Sequence, residues 1–203
     1  SSLTIFSCSN QQDLKLPCGD FELGKLDNNK YSNSYFCMSI DIPNEWIVLN
    51  KKSILENMNL RAENINISKE DLKNTQSNTD ILILLVIDSL NKNPMILLTS
   101  LNLKLATGIK NETDHLNNLK QTIQNTYQNY EVELEFTEIK KDKINGNEFY
   151  YLETKISNES FLSYQRVYSS KYGERLLNIM INYDNETNFE KSKGLLSSII
   201  WTN

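Results

Sequence analysis

Cysteine, proline and glycine are scarce in this chain: 3 Cys, 3 Pro and 6 Gly among 203 residues. That excludes a collagen-like repeat and a small disulfide-dense scaffold. Histidine occurs once, as His115, so any chemistry that pairs a nucleophile with a histidine base has a single candidate. Long apolar runs are missing too. The longest, Ile81 to Ile87, is far too short to span a bilayer as a helix. Positive charge is in deficit, with 21 Lys and Arg against 26 Asp and Glu and a net charge of -5. Nothing here recommends a nucleic-acid partner. No P-loop, GxGxxG, HExxH or CxxC pattern occurs, and the carboxylate spacing makes no EF-hand loop.

Alanine is nearly absent, at Ala62 and Ala106, while asparagine is abundant. The excess of Asn, Lys and Ile is what an AT-rich coding sequence produces. Four Asn-x-Ser/Thr sites, at Asn66, Asn111, Asn158 and Asn185, are no more than these frequencies generate by chance, so they carry no message about glycosylation. At 23.6 kDa and 39% hydrophobic residues, the chain is long enough for one domain with a real core.

The opening residues Ile5-Phe6-Ser7-Cys8 resemble a bacterial lipobox: an aliphatic residue, a tolerant position, a small residue, then Cys. Phe6 departs from that pattern, because the position usually holds a smaller side chain. The resemblance implies a diacylglycerol anchor on Cys8, with residues 1–21 as signal remnant and tether and residues 22–203 as the single domain. The competing reading is a first strand with a buried cysteine. Cys18 and Cys37 then remain as a pair. They suit a disulfide in an exported protein, while Cys37, read as mid-strand among apolar residues, suits a small buried thiol equally well.

Along the body, Phe36, Met38, Ile40 and Ile42 alternate with small or polar residues, which predicts a half-buried strand ended by Pro43. Trp46 to Val48 starts a second. Ser53 to Glu56 and Ser68 to Asp71 carry helix-start patterns, and Asn74 to Asp80 reads as a polar loop. Ile81–Ile87 and Met95–Leu103 are apolar on both faces, so they are expected as central strands covered on both sides. Asn111 is placed to cap a helix whose stripe is Leu116, Leu119, Ile123 and Tyr127. His115 lies off that stripe and is expected to be exposed and incidental.

A four-stranded meander follows. Val132, Leu134 and Phe136 share one face, and Asn145-Gly146 marks a hairpin. Face matching favours a three-residue loop, Asn145 to Asn147, pairing Phe136 with Ile156. Strands at Phe161–Tyr168 and Leu176–Tyr183 complete the meander. Thr187 to Glu190 reads as a capping box for a last helix that buries Phe189, Leu196 and Ile199 or Ile200 despite Gly194.

This element order, with Tyr31-x-Asn33-x-Tyr35-Phe36-x-Met38-x-Ile40-x-Ile42-Pro43-x-x-Trp46, resembles the PsbP/Mog1-like family, and within it the exported lipoproteins of Gram-positive bacteria. Cys37 and Glu45 stand where glycine is common in such sequences. The likeness covers roughly residues 22–201. It implies an α+β fold: one largely antiparallel sheet with helices on both faces, an α/β/α sandwich. The family includes photosystem extrinsic subunits and a nuclear GTPase-release factor, so the resemblance implies a non-enzymatic, extracytoplasmic binding scaffold. It implies no catalytic residue, cofactor or metal. The expected partners are a bacterial membrane, through Cys8, and another protein. The rival reading is a hydrolase using Asp/Glu carboxylates in a cleft, for which sequence supplies no pair. The Glu131, Glu133 and Glu135 stripe is expected to be a solvated face. Trp46 is expected in the core. The tyrosines of the meander divide between core and amphipathic edge, with an exposed face suited to a partner.

Overall fold

The computed structural model describes residues 15–49 and 80–202. The Ser53–Glu56 and Ser68–Asp71 patterns, the loop before Asp80, Asn66 and Cys8 lie outside the described residues.

Among the described residues, twelve strands form two sheets accompanied by two helices, and every strand pair is antiparallel. The smaller sheet holds β1 (Lys25–Asp27), β2 (Lys30–Asn33), β3 (Met38–Asp41) and β12 (Ile199–Trp201), in the order β1-β2-β3-β12. The larger holds β4 (Trp46–Val48), β5 (Asp80–Asp88), β6 (Met95–Asn102), β7 (Glu133–Phe136), β8 (Lys140–Ile144), β9 (Asn147–Asn158), β10 (Phe161–Tyr172) and β11 (Arg175–Tyr183). Its order is β4-β5-β6-β11-β10-β9-β7, and β8 pairs with the first half of β9. The helices are α1 (Glu112–Tyr127) and α2 (Glu186–Leu196).

The expected single sheet is therefore two. The strand that carries Met38 and Ile40 is only four residues long and turns its apolar side to the large sheet rather than joining its edge. Its far neighbour is β12, a three-residue strand at the other end of the chain. Between the sheets lies the main core: Phe36, Met38 and Ile40 from one side, Leu84, Val86, Ile96, Leu98, Ile179 and Ile181 from the other, closed by Phe189, Leu195 and Leu196 of α2. On the opposite face of the large sheet, Leu116 of α1 packs on Leu152 and Val167. β5 and β6 bury side chains on both faces, with Leu85 and Ile87 turned away from the main core. β5 is nevertheless one strand from the edge, and β11 takes the middle.

Asparagine is used where the backbone demands it. Asn28 and Asn29 have φ of 43° and 64°, and Asn145 and Gly146 have 47° and 88°. Both pairs form two-residue hairpin turns, between Asp27 and Lys30 and between Ile144 and Asn147. A turn with both central residues at positive φ is the one that matches strand twist. The expected three-residue loop is thus wrong, although the faces match as burial requires. Leu134 pairs with Ile156 and Phe136 with Thr154, while Lys140 pairs with Tyr151. The odd residue lies in the break at Thr137–Ile139, not in the turn. Asn111 and Asn185 cap the two helices, accepting from the amides of Asp114 and Asn188. The last helix starts earlier than the Thr187 pattern suggested. Ile199, fully buried, belongs to β12.

Cys37 is not mid-strand. It ends the β2–β3 turn with φ of 53° and is bonded to Cys18, 19 positions away. Of the two readings of the pair, the disulfide is the observed one. Residues 15–21, assigned above to the tether, lie on the body. The Gly173 and Cys18 amides donate to the Lys15 and Tyr35 carbonyls, and Phe21 meets Tyr35 edge-on at 5.6 Å. Replacing both cysteines by alanine is expected to cost about 2–4 kcal/mol, because the unfolded chain regains the freedom that the bond removes. Urea midpoints of the oxidised protein and the variant measure it, and equal midpoints would refute it.

Candidate functional site

Two constructions gather polar groups. The first is built on the direct cross-strand pair Glu153 (β9) and Arg166 (β10). Arg166 Nε donates to Glu153 Oε2 at 2.6 Å, and the Tyr183 hydroxyl donates to the same oxygen. Arg166 also donates to the Tyr168 hydroxyl at 3.4 Å, which makes a longer 3.5 Å contact to Asp142. The guanidinium lies over the rings of Tyr151 and Phe189, at 5.0 and 4.3 Å. Burial works against the Arg166 charge, but Glu153 and Tyr168 outweigh it and raise its pKa. Burial, then Glu153, pushes the Tyr183 phenol up, so it remains a donor. These groups satisfy one another. The cluster is a pin between strands, with Asp142 at its exposed rim.

The second surrounds the N-terminal segment. Lys15, Leu16, Pro17 and Cys18 form one wall of a pocket of about 270 Å³, whose other walls are Phe36, Cys37, Asn147, Tyr172, Trp201 and Thr202. A shallower depression of about 430 Å³ adjoins it, sharing Asn147 and Trp201. Lys15 Nζ donates to the Glu148 carbonyl at 2.6 Å and to Ser170 Oγ at 2.7 Å. It sits 5.0 and 5.2 Å from the ring centres of Phe149 and Tyr172. Burial lowers its pKa to about 8, against the pull of Glu112 and Glu148. Neither pocket is lined by a carboxylate, so the pair that a hydrolase would need is not found in them.

Other candidates fall as follows. Glu131, Glu133 and Glu135 are exposed, and Glu135 pairs with Lys155 at 2.5 Å. Among the described residues no three potential metal ligands meet, and no helix is long and apolar enough to cross a membrane. The tyrosines are mostly core: Tyr168, Tyr172 and Tyr183 are buried and Tyr150, Tyr151 and Tyr164 half-buried, so no exposed tyrosine face forms.

His115 is half-buried rather than exposed. Desolvation lowers its pKa to about 4. Its unfolded value is near 6.5, so between pH 6.5 and 4 the unfolded state binds the extra proton and stability falls as pH drops. The loss is expected to reach about 2–3 kcal/mol. His115→Gln should flatten that limb of the stability–pH curve. NMR titration of this single imidazole reads the pKa directly, and a midpoint near 6.5 would contradict burial.

Sequence reasoning missed Lys15, Tyr172, Trp201, Arg166 and Glu153 as groups. Each is ordinary in its own segment, and only long-range register brings them together. The Tyr31-x-Asn33 motif proves structural. Tyr31 donates to the Leu23 carbonyl at 2.8 Å, and Asn33 holds Glu22, Tyr31 and the Phe36 amide. A Cβ on Gly24, at φ 80°, would collide with the Tyr31 hydroxyl and the Ser32 carbonyl.

No family model matches the chain, and no curated protein matches it. Among solved structures it is similar to cyanobacterial PsbP (CyanoP) from Synechocystis sp. PCC 6803. The TM-score is 0.54 and the identity 14%, over 88% of this chain and 98% of that one. This likeness shows a PsbP-like fold. LpqN, involved in cell envelope biogenesis of Mycobacterium tuberculosis, matches at TM-score 0.43 and 12% identity over 82% and 83% of the two chains. A Bacteroides thetaiotaomicron VPI-5482 protein matches at 0.41 and 8%, over 82% of this chain and 46% of that one. Neither of these two adds to the argument.

Proposed function

We propose that the chain is an extracytoplasmic interaction protein without catalytic activity, held at a bacterial membrane by a lipid on Cys8. The observation that carries the location is the Cys18–Cys37 bond, since structural disulfides persist in oxidising compartments and are rare in reducing ones. The Ile5-Phe6-Ser7-Cys8 pattern supplies the tether. It needs a second attachment or more than one acyl chain to hold stably. Two observations support the reading without catalysis: the Glu153–Arg166–Tyr183 groups are spent on one another, and no carboxylate lines either pocket. Two measurements on intact cells test the reading. Cys18 and Cys37 should resist a membrane-impermeant alkylating reagent until a reductant is added, and Cys8→Ala should move the protein from the membrane to the soluble fraction. Free thiols in cells would overturn the location. Unchanged membrane partitioning of Cys8→Ala would overturn the anchor.

A further inference from the structure

Five tyrosines are buried: Tyr31, Tyr35, Tyr168, Tyr172 and Tyr183. Four of their hydroxyls are used. Tyr31 donates to the Leu23 carbonyl, Tyr35 to the Tyr172 carbonyl, Tyr168 to Asp142 and Tyr183 to Glu153. The Tyr172 hydroxyl has no partner, although the residue is only 3% exposed. A buried phenol nearly always finds an acceptor, and one left without costs stability. Tyr172 lines the 270 Å³ pocket, and so does Lys15, whose ammonium lies over the Tyr172 ring. An ammonium has three protons to donate. Lys15 spends two, on an uncharged carbonyl and an uncharged hydroxyl, and no carboxylate of the described residues pairs with it.

From this geometry we infer that the pocket is a binding site for a small carboxylate with an apolar body. The carboxylate is received by the Lys15 ammonium and the Tyr172 hydroxyl, and the body lies among Leu16, Pro17, Phe36 and Trp201. A buried phenol without an acceptor, beside an ammonium bonded only to uncharged oxygens, asks for a group that only accepts and carries negative charge. The apolar walls favour a carboxylate on a hydrocarbon body over a fully hydrated anion such as inorganic phosphate. The pocket volume admits a body of a single ring or a short branched chain. One wall is the segment that the Cys18–Cys37 bond fastens, so the site is complete only in the oxidised protein. The inference does not depend on the lipid anchor.

Phenylacetate and its neutral counterpart phenylacetamide are the probes, with the full-length oxidised protein. The Trp201 indole N–H, bonded to the Ile144 carbonyl at 2.9 Å, is the NMR reporter, and that of Trp46 in the core is the control. Phenylacetate should shift the Trp201 signal saturably and leave Trp46 still, with phenylacetamide at least about tenfold weaker. Lys15→Met and Tyr172→Phe should each weaken phenylacetate about tenfold or more. Tyr172→Phe should at the same time raise the unfolding midpoint, because it removes an unpaired hydroxyl and nothing else. That opposition separates a ligand donor from a structural group. The inference is overturned by equal binding of acid and amide, or by unchanged affinity in Tyr172→Phe. A lowered midpoint in that variant would also overturn it, since the hydroxyl would then be bonded within the protein. So would the lack of any saturable shift up to about 10 mM phenylacetate, a ceiling generous for a ten-atom ligand.

Discussion

Trp46→Ala is expected to remove about 3–5 kcal/mol of stability, the usual cost of truncating a buried large aromatic. That is a large share of the roughly 5–15 kcal/mol available to a domain. Trp46 opens β4, the edge strand of the large sheet, yet it is only 6% exposed and belongs to the main core. The turn before it is closed by its own amide, which donates to the Pro43 carbonyl at 2.9 Å. Above it passes Lys191 of α2, whose Nζ lies 5.9 Å from the indole and pairs with Asp88 at 2.6 Å. Asp88 is the cross-strand neighbour of Trp46. Burial alone would raise the Asp88 carboxyl, but the Lys191 ammonium and the Leu90 amide hold it below the usual range. The indole therefore fills the angle between an edge strand and a helix that an ion pair already fixes. A cavity there has little freedom to collapse, which places the loss toward the upper part of the range. A urea titration decides it. A midpoint that barely moves would mean that the indole is not a core residue.

What the sequence disclosed and what it hid divide by range. The apolar run at Ile81–Ile87, the Leu116–Ile123 stripe and the Asn111 cap are local signals, and each corresponds to an observed element. Trp46 is buried as expected from its place after Pro43. Most of the small sheet was hidden. Only β3 shows in the alternation of Phe36 to Ile42; β1, β2 and β12 run three or four residues, too short for a period to register, and β12 reaches β3 across almost the whole chain. The register of the meander was half legible. Burial dictated which faces match, but a one-residue irregularity can sit in a turn or in a strand, and sequence does not say which. Here Asn145-Gly146 takes the tight turn that its residues favour, and the strand breaks instead. The pocket was illegible for the same reason as the small sheet. Lys15, Phe36, Tyr172 and Trp201 come from four distant segments, and of these only Phe36 belongs to a motif.

Arg166→Met should be almost as damaging as the loss of Trp46, at about 3 kcal/mol, while the double variant Arg166→Met with Glu153→Met should recover most of that. Both charges are largely removed from water, with side-chain exposures of 19% and 18%. Deleting the cation leaves a carboxylate among Tyr151, Phe189 and Tyr183 with only the Tyr183 hydroxyl to answer it. An uncompensated charge in such a place costs far more than the intact pair contributes. The methionine side chains of the double variant resemble the lost ones in length and keep the rings packed, so the net value of the pair itself emerges as small. The Arg166–Glu153 coupling in a double-mutant cycle is then expected at about 2–3 kcal/mol. Denaturation midpoints of the four proteins, all at pH 7 and one salt concentration, give the cycle. Simple additivity would show that the two residues act independently.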